Sequence, residues 1–451
     1  MRLRSALGAC GVRWPAVPSP RANRLLALLY QLQDSECWSA ERLREAQQEQ
    51  AGELLHYARK EVPLYAGRLK DARPPEPGST SWLEIPLLTR EDVQQHAADL
   101  RSRAIPASHG RVFENRTSGS TGQPVAVLRT GLTQLLWEAI SLREHLWQHR
   151  DASLTEAIIR ANGPRAPAPE GRRFAGWGIP FDLLWKCGPA HALDMRTDVA
   201  AQAAWLRNLR PDYFLTYPSN LEALLEHVTV QERVTFREVI CVGEAVSDEL
   251  RKRCMALTGA RITSNYSSQE LGYIALQCPD CGQFHVQSES VYVEILDEEG
   301  HPSPPGTVGR VVVTDLHNFA MPLIRYVIGD YAQIGEPCRA GRGLPSLRRV
   351  LGRRRNMLLY PDGRRTWPLT GFARFGEVAP IRQYQFIQHS RSDIEVRLVV
   401  PKPLAVAELR ALSGIIVDSL GHPFRLRFRQ FPRPLPRTRG GKFEEFVCLA
   451  Q

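Results

Sequence analysis

In "NRTSGSTGQPVAV", residues 115–127, six consecutive small residues precede a return to apolar ones. Glycines and hydroxyl residues suit either a flexible linker or a loop whose backbone amides bind phosphate. The flanking "GRVFE" and "VAVLRT" have the pattern of extended segments, which disfavours a linker. A Walker-type loop needs a lysine directly after its last glycine, whereas Gln123 and Pro124 stand there. The sequence therefore predicts a phosphate-binding loop of another class, formed by Thr117, Ser118, Gly119, Ser120, Thr121 and Gly122.

Length and composition predict a protein of two or more domains. The chain has 451 residues, of which 43% are apolar and 24% charged, which is ordinary for globular proteins. No apolar run approaches the roughly 18 residues of a membrane span, so no stable membrane insertion is expected. The basic start is broken by Arg13 and by prolines, unlike a secretory signal. The nine cysteines are mostly scattered singly, which argues against a disulfide framework and predicts a cytoplasmic protein.

The net charge of +10 does not predict nucleic-acid binding. Basic residues are spread along the chain, and the densest cluster, "LRRVLGRRRN" at 347–356, lacks the aromatic residues of a base-stacking platform. Few of these basic residues are lysines, which makes each lysine more informative. They are Lys60, Lys70, Lys186, Lys252, Lys402 and Lys442.

Apolar periodicity gives a coarse organisation of the chain. Residues 24–70 predict two helices, and an amphipathic helix is predicted over 130–148, directly after the small-residue loop. Residues 234–268 have the pattern strand, turn, helix, strand, and β-rich segments follow from 290 onward. Near the C-terminus, strands flank a helix predicted at 404–420, which indicates a small α+β module.

Further motifs follow the small-residue loop in a fixed order. They are "LTYPSNLEALL" (215–225), "VGEAVSDEL" (242–250), "NYSSQELG" (265–272), "IRYVIGDYA" (324–332), "LGRRRNML" (351–358) and "PRTRGGKFEEF" (436–446). Together with "TSGSTGQP" (117–124), they resemble the signatures of the adenylate-forming ligase superfamily, in its phenylacetate–coenzyme A ligase branch. The resemblance covers roughly residues 25–450.

The resemblance implies an α/β fold in two domains. A large α/β N-terminal domain of several subdomains, residues 1–353, would bind ATP and a carboxylate. A small, mobile α+β lid, residues 354–451, would carry the catalytic lysine.

The resemblance also implies a role for five residues. Glu270 would help hold the Mg²⁺ on the ATP phosphates, since a carboxylate suits a hard cation. Tyr266 would flank the adenine, and Asp330 would accept hydrogen bonds from the ribose hydroxyls. Arg353 would contact ribose or phosphate, although its arginine run also fits a basic surface. Lys442 would stabilise charge that develops as the carboxylate attacks the α-phosphate, the alternative being an exposed lysine.

Four positions depart from the family's pattern. Ser267 and Gln269 replace the glycine and the threonine of the "NYSSQELG" motif, and Arg355 and Asn356 stand where the hinge motif has an acidic residue. The first two changes concern the predicted phosphate contacts, and the last two concern the hinge of the lid.

A metal site is predicted around "CPDCGQFH", residues 278–285. Cys278 and Cys281 have the two-residue gap of a zinc knuckle, and His285 follows four residues later. The alternative, a redox pair, lacks a thioredoxin-like strand and helix around it. Cys338 is a further candidate ligand. Relatives in this branch often carry a cysteine pair there, and Ala340 occupies the second place.

The sequence thus predicts an acid–thiol ligase that uses ATP and Mg²⁺ to convert an aryl or arylacetic acid to an acyl-adenylate, and coenzyme A as the thiol. One alternative acceptor is the phosphopantetheine arm of an acyl carrier protein. An alternative of another class is a non-catalytic descendant that acts as a binding component. The four departures favour it, but such a relic would not need Lys442.

Overall fold

The structure is a computed structural model. It describes residues 3–69, 72–74, 81–116, 125–160, 171–228, 234–353, 357–366, 372–433, 435–436 and 443–450.

The helices lie mainly in the first 260 residues, with one long helix near the C-terminus. Their bounds are α1 Pro20–Ser35, α2 Ala40–Glu61, α3 Tyr65–Arg68, α4 Arg90–Gln95, α5 Gly131–Trp147, α6 Phe181–Leu184, α7 Val199–Leu209, α8 Pro218–Leu225, α9 Asp248–Thr258 and α10 Val406–Leu420.

The strands form a large sheet, two hairpins and a small sheet. Their bounds are β1 Val112–Arg116, β2 Ala126–Thr130, β3 Glu156–Arg160, β4 Arg172–Phe174, β5 Ala190–Asp194, β6 Tyr213–Thr216, β7 Glu238–Cys241, β8 Arg261–Ser268, β9 Gly272–Gln277, β10 Phe284–Val286, β11 Val291–Leu296, β12 Val308–Asp315, β13 Tyr326–Ile334, β14 Ser346–Arg353, β15 Leu358–Leu359, β16 Arg365–Thr366, β17 Gln383–Gln388, β18 Asp393–Val399, β19 Arg425–Phe431 and β20 Phe446–Cys448.

Several predicted elements are confirmed, and local capping explains where they begin. The side chains of Ser19, Ser39 and Ser247 accept backbone N–H groups at the starts of α1, α2 and α9. Thr130 forms a capping box at the start of α5, close to the predicted position 130. The unit over 234–268 is observed as β7, α9 and β8.

The large sheet has twelve strands in the order β11-β12-β13-β14-β10-β9-β8-β7-β6-β3-β5-β4. Strand β8 joins its two halves. Residues Arg261 to Ser264 pair in parallel with β7, whereas Asn265 to Ser268 pair antiparallel with β9. Ligands of open α/β sheets bind beyond the carboxyl ends of the strands, where the topology changes. The carboxyl end of β8 is therefore the expected position for a site.

The C-terminal part has a sheet and a core of its own. Its four strands follow the order β19-β18-β17-β20, and α10 lies between β18 and β19 in the chain. Phe386, Val396, Leu412 and Ile416 belong to a separate buried cluster whose described members all lie beyond residue 357. The predicted fold class, a large α/β part with a smaller α+β part, is confirmed.

Among the helices that the structure describes, none combines the length and the apolar character that crossing a bilayer would require.

Candidate nucleotide-binding site and cysteine–histidine cluster

Two of the predicted nucleotide-binding residues are in direct contact. Tyr266 lies on β8 at the junction of the two sheet halves, and Asp330 lies on β13. The Tyr266 hydroxyl donates a hydrogen bond to Asp330 Oδ2 at 2.9 Å. Tyr266 is 8% exposed, whereas Asp330 is only partly buried. The carboxylate is therefore oriented by a nearly buried hydroxyl.

Arg353 is placed beside Asp330 by strand pairing. β13 and β14 are antiparallel, and Asp330 stands opposite Arg353 in their register. Gly329, directly before Asp330, has a φ of +89°, a left-handed conformation that glycine adopts without strain. The register shifts just beyond Asp330, between Tyr331 and Ala332. Motifs that are far apart in sequence thus meet at one edge of the sheet.

Glu270 lies in the turn between β8 and β9 and is 7% exposed. Its Oε1 is 3.5 Å from Nη1 of Arg90, at the start of α4. Arg129 of β2 donates from Nη1 to the Glu270 carbonyl oxygen at 3.2 Å. A nearly buried carboxylate requires a counter-charge, and Arg90 supplies one here.

The β1–β2 hairpin, whose strands flank the predicted phosphate loop in the sequence, has a contact near Glu270. Arg116 pairs with Ala126, so the loop begins and ends at neighbouring strand positions. Next to Arg116, Asn115 donates from Nδ2 to the Gln269 carbonyl oxygen at 3.5 Å. The end of the hairpin at Arg116 and Ala126 therefore lies beside the turn that carries Glu270.

Some predicted site residues lie outside the described residues. They are Thr117, Ser118, Gly119, Ser120, Thr121, Gly122 and Lys442.

The predicted metal ligands come together. The ligand atoms of Cys278, Cys281, His285 and Cys338 all lie within 4.8 Å of one another. Cys281 Sγ is 3.8 Å from Cys338 Sγ and 3.5 Å from His285 Nε2. Tetrahedral zinc with bonds of about 2.3 Å to sulfur and about 2.0 Å to nitrogen gives ligand separations of about 3.8 Å and about 3.5 Å. The donor set therefore fits a zinc ion.

Groups around the cluster fix the orientation of its ligands. His285 Nδ1 is 3.0 Å from the Leu344 carbonyl oxygen, which assigns the ring proton to Nδ1 and leaves Nε2 for a metal. Arg342 donates from Nη1 to Cys278 Sγ at 3.2 Å and to Asp280 Oδ2 at 2.7 Å. A guanidinium beside the thiols offsets the negative charge of a site with three thiolates.

Sequence reasoning missed Arg90, Asn115 and Arg342 as site neighbours. Arg90 follows Thr89, whose capping box with Asp92 is a readable helix start, but nothing local connects it to Glu270. Arg342 lies four residues after Cys338, close enough to a predicted ligand to have been considered.

The sequence offers four aromatic residues as candidates for the wall of an acyl pocket, and all four are buried: Trp177, Phe181, Tyr213 and Tyr217. Trp177 packs edge-on against Phe181 and Tyr213, with ring centroids 5.8 Å and 5.3 Å away. Its Nε1 donates to the Leu154 carbonyl oxygen. Tyr217 lies elsewhere, at the start of α8. The packing of the first three residues is that of a core, and their role in substrate binding stays a prediction.

Comparisons with known proteins identify relatives by sequence. No protein-family model matches the chain. A phenylacetate–coenzyme A ligase from Thermus thermophilus is 26% identical over 454 residues, which cover 91% of this chain and 97% of the relative. A phenylacetate–coenzyme A ligase from Pseudomonas putida is 24% identical over 346 residues, covering 73% of this chain and 74% of that protein.

Solved structures show the fold. A 2-hydroxyisobutyryl-CoA ligase in its postadenylation state, in complex with R3-HIB-AMP, aligns with a TM-score of 0.70 at 18% identity, over 92% of this chain and 91% of that one. The same ligase aligns with a TM-score of 0.57 both in an open conformation and in its thioesterification state.

Proposed function

We propose that this chain is an acid–thiol ligase. It has the fold of adenylate-forming enzymes, and its sequence relatives include phenylacetate–coenzyme A ligases. It activates a carboxylic acid with ATP and transfers the acyl group to coenzyme A. We propose an aryl or arylacetic acid as the substrate, because the relatives of greatest coverage are named for phenylacetate.

The observation that carries this proposal is the convergence of three separate motifs. Tyr266, near the carboxyl end of β8, is hydrogen-bonded to Asp330 on β13, and Arg353 stands opposite Asp330 in the register of β13 and β14. An oriented carboxylate is suited to accept the two hydroxyls of a ribose. An isolated motif match could arise by chance, but this spatial arrangement of three motifs depends on the fold.

The reaction has two steps. A carboxylate oxygen of the acid attacks the α-phosphorus of ATP, and the bond to the β-phosphate oxygen breaks to release pyrophosphate. The sulfur of the thiol then attacks the acyl carbon, and AMP leaves. No covalent enzyme intermediate is needed, so the protein contributes positioning and charge stabilisation.

Each proposed residue has a role in these steps. Mg²⁺ would supply positive charge to the ATP phosphates, and the near-buried Glu270 is the residue we propose to hold it. Residues Thr117 to Gly122 would present backbone amides to the phosphates. Lys442 would bring its ammonium to the α-phosphate during the first step.

The placement of the C-terminal part supports the first step. The chain aligns better with the neighbour's postadenylation state than with its thioesterification state, with TM-scores of 0.70 and 0.57. We therefore assign this arrangement to the adenylation half of the reaction. We propose residues 354–451 as the lid and residues 1–353 as the domain that binds ATP and the acid.

ATP–pyrophosphate exchange with a panel of carboxylates tests the function. We expect exchange to depend on an aryl or arylacetic acid, and coenzyme A to be acylated in the full reaction. Acylation of a carrier protein's phosphopantetheine arm, with free coenzyme A inactive, would favour the alternative acceptor. No exchange with any acid would favour the non-catalytic binding component.

We also propose that Cys278, Cys281, His285 and Cys338 hold a structural zinc ion. The cluster's ligand separations match those of tetrahedral zinc, and the site has no donor to spare for a reaction. Free cysteines at all nine positions are consistent with a reducing compartment, and we propose the cytoplasm.

A further inference from the structure

Glu244 connects the large part of the molecule to the C-terminal part. It lies in the turn after β7, directly after Gly243, whose φ of +79° is a left-handed conformation. Glu244 Oε2 accepts the backbone N–H of Ser219 at 3.0 Å, and Oε1 accepts the Ser219 hydroxyl at 3.1 Å. Because Tyr217, the N-cap residue of α8, makes no side-chain cap bond, Glu244 is the residue that caps this helix.

The same carboxylate binds the C-terminal part. The backbone N–H of Phe443 donates to Glu244 Oε1 at 2.9 Å. The Phe443 side chain is buried in a small cluster with Val399 and Leu435. The position of this amide is therefore set by the packing of the C-terminal part. In the sequence, Phe443 directly follows Lys442.

We propose that Glu244 is a positioning residue that holds the lid against the large domain in the arrangement used for adenylation. This inference rests on the proposed function. An acceptor that is already fixed by α8 can hold the Phe443 amide, which directly follows Lys442 in the sequence, at a defined position. When the lid turns for thioester formation, this bond must break.

Other charges around the contact act in both directions. Burial and the charge of Glu445 raise the pKa of Glu222 on α8 to about 8. Burial and the charge of Glu244 also raise the pKa of Glu445, although a hydrogen bond from Tyr384 lowers it. The pKa of Glu226, just after α8, is raised to about 7 by burial. The charges of Arg253 in the large part and of Arg382 in the lid act in the opposite direction and lower it. The charged hydrogen bond from Phe443 and the attraction between Arg382 and Glu226 thus work against carboxylate repulsion across the contact.

The test compares Glu244→Ala and Glu244→Gln with a control, Glu249→Ala, which removes an exposed carboxylate of α9. Single-turnover adenylation should slow by about ten- to a hundredfold in Glu244→Ala, the effect of losing a hydrogen bond to a charged group. Glu244→Gln keeps an acceptor and should lie between. Thioester formation from supplied acyl-adenylate should be unchanged. The KM for ATP should also be unchanged, because Glu244 is proposed to contact no substrate.

A second measurement makes the inference independent of catalysis. Hydrogen–deuterium exchange at the Phe443 amide, followed in peptides that begin several residues before it, should be faster in Glu244→Ala than in wild type or in Glu249→Ala. Equal exchange in all three proteins would overturn the inference even if the enzyme is active. An equal fall of both half-reactions would make Glu244 a purely structural residue and would also overturn it. A wild type without pyrophosphate exchange would refute the proposed function, while the exchange measurement would still decide on the contact.

Discussion

Replacement of Asp330 by alanine should selectively weaken the use of ATP. The carboxylate is held by the Tyr266 hydroxyl at 2.9 Å, and the residue is partly exposed. Asp330→Ala removes an ionised acceptor, whereas Tyr266→Phe removes only the donor that orients it. The two variants therefore separate binding from orientation.

The expected magnitudes follow from these contacts. A hydrogen bond to a charged group is worth about 1.5–3 kcal/mol, so Asp330→Ala should raise the KM for ATP by roughly ten- to a hundredfold. In Tyr266→Phe, water can reach the partly exposed Asp330 and replace the lost donor. The loss should then be nearer about 0.5–1.5 kcal/mol, or roughly two- to tenfold.

Steady-state kinetics with each substrate varied in turn is the assay. Asp418→Ala, which removes an exposed aspartate of α10, is the control and should match the wild type. Thermal unfolding of each variant shows whether the fold is intact. If Asp330→Ala raises the KM for the carboxylate as much as that for ATP, the residue is structural and the reasoning is wrong.

Three further predictions concern other parts of the molecule. Metal analysis should find about one zinc per chain. The double variant Cys278→Ser, Cys281→Ser should lower solubility and thermal stability more than it lowers the affinity for ATP, and a metal-free protein of full stability would contradict this. Lys442→Ala should slow adenylation by roughly a hundred- to a thousandfold and spare thioester formation from supplied acyl-adenylate, and an equal loss in both steps would refute its assigned role. Burial raises the pKa of Glu222 to about 8, so the folded protein binds a proton there more tightly than the unfolded chain does. The contribution of this carboxyl to stability therefore falls as the pH rises from about 4.5 to about 8. Glu222→Gln should therefore raise the melting temperature at pH 8 and leave it unchanged at pH 5, with Glu249→Gln as the neutral control.

Local patterns were sufficient for much of the architecture. The helix starts at Ser39 and Thr130 can be read from the sequence because a cap involves only residues a few positions apart. The same holds for the alternation of strands and helix in the C-terminal part. Cys278, Cys281 and His285 were identified as a ligand set for the same reason, since a knuckle and one strand determine their spacing.

The motif order was a different kind of signal. It predicted the resemblance and the fold class, both of which the comparisons confirm. It assigned roles to Tyr266 and Asp330 one motif at a time, and it contained no information on their mutual contact.

By itself, then, the sequence determined the elements, the order of the motifs and the types of residue at the site. Only the tertiary structure decided which side chains meet. Cys338 reaches the knuckle because β10 pairs with β14. Asp330 reaches Tyr266 across a sheet in which the strands β9, β10 and β14 lie between β8 and β13. The bond from Phe443 to Glu244 joins residues 199 positions apart. Such contacts depend on the packing of whole sheets and domains, and pairings at that separation leave no periodic trace in the chain.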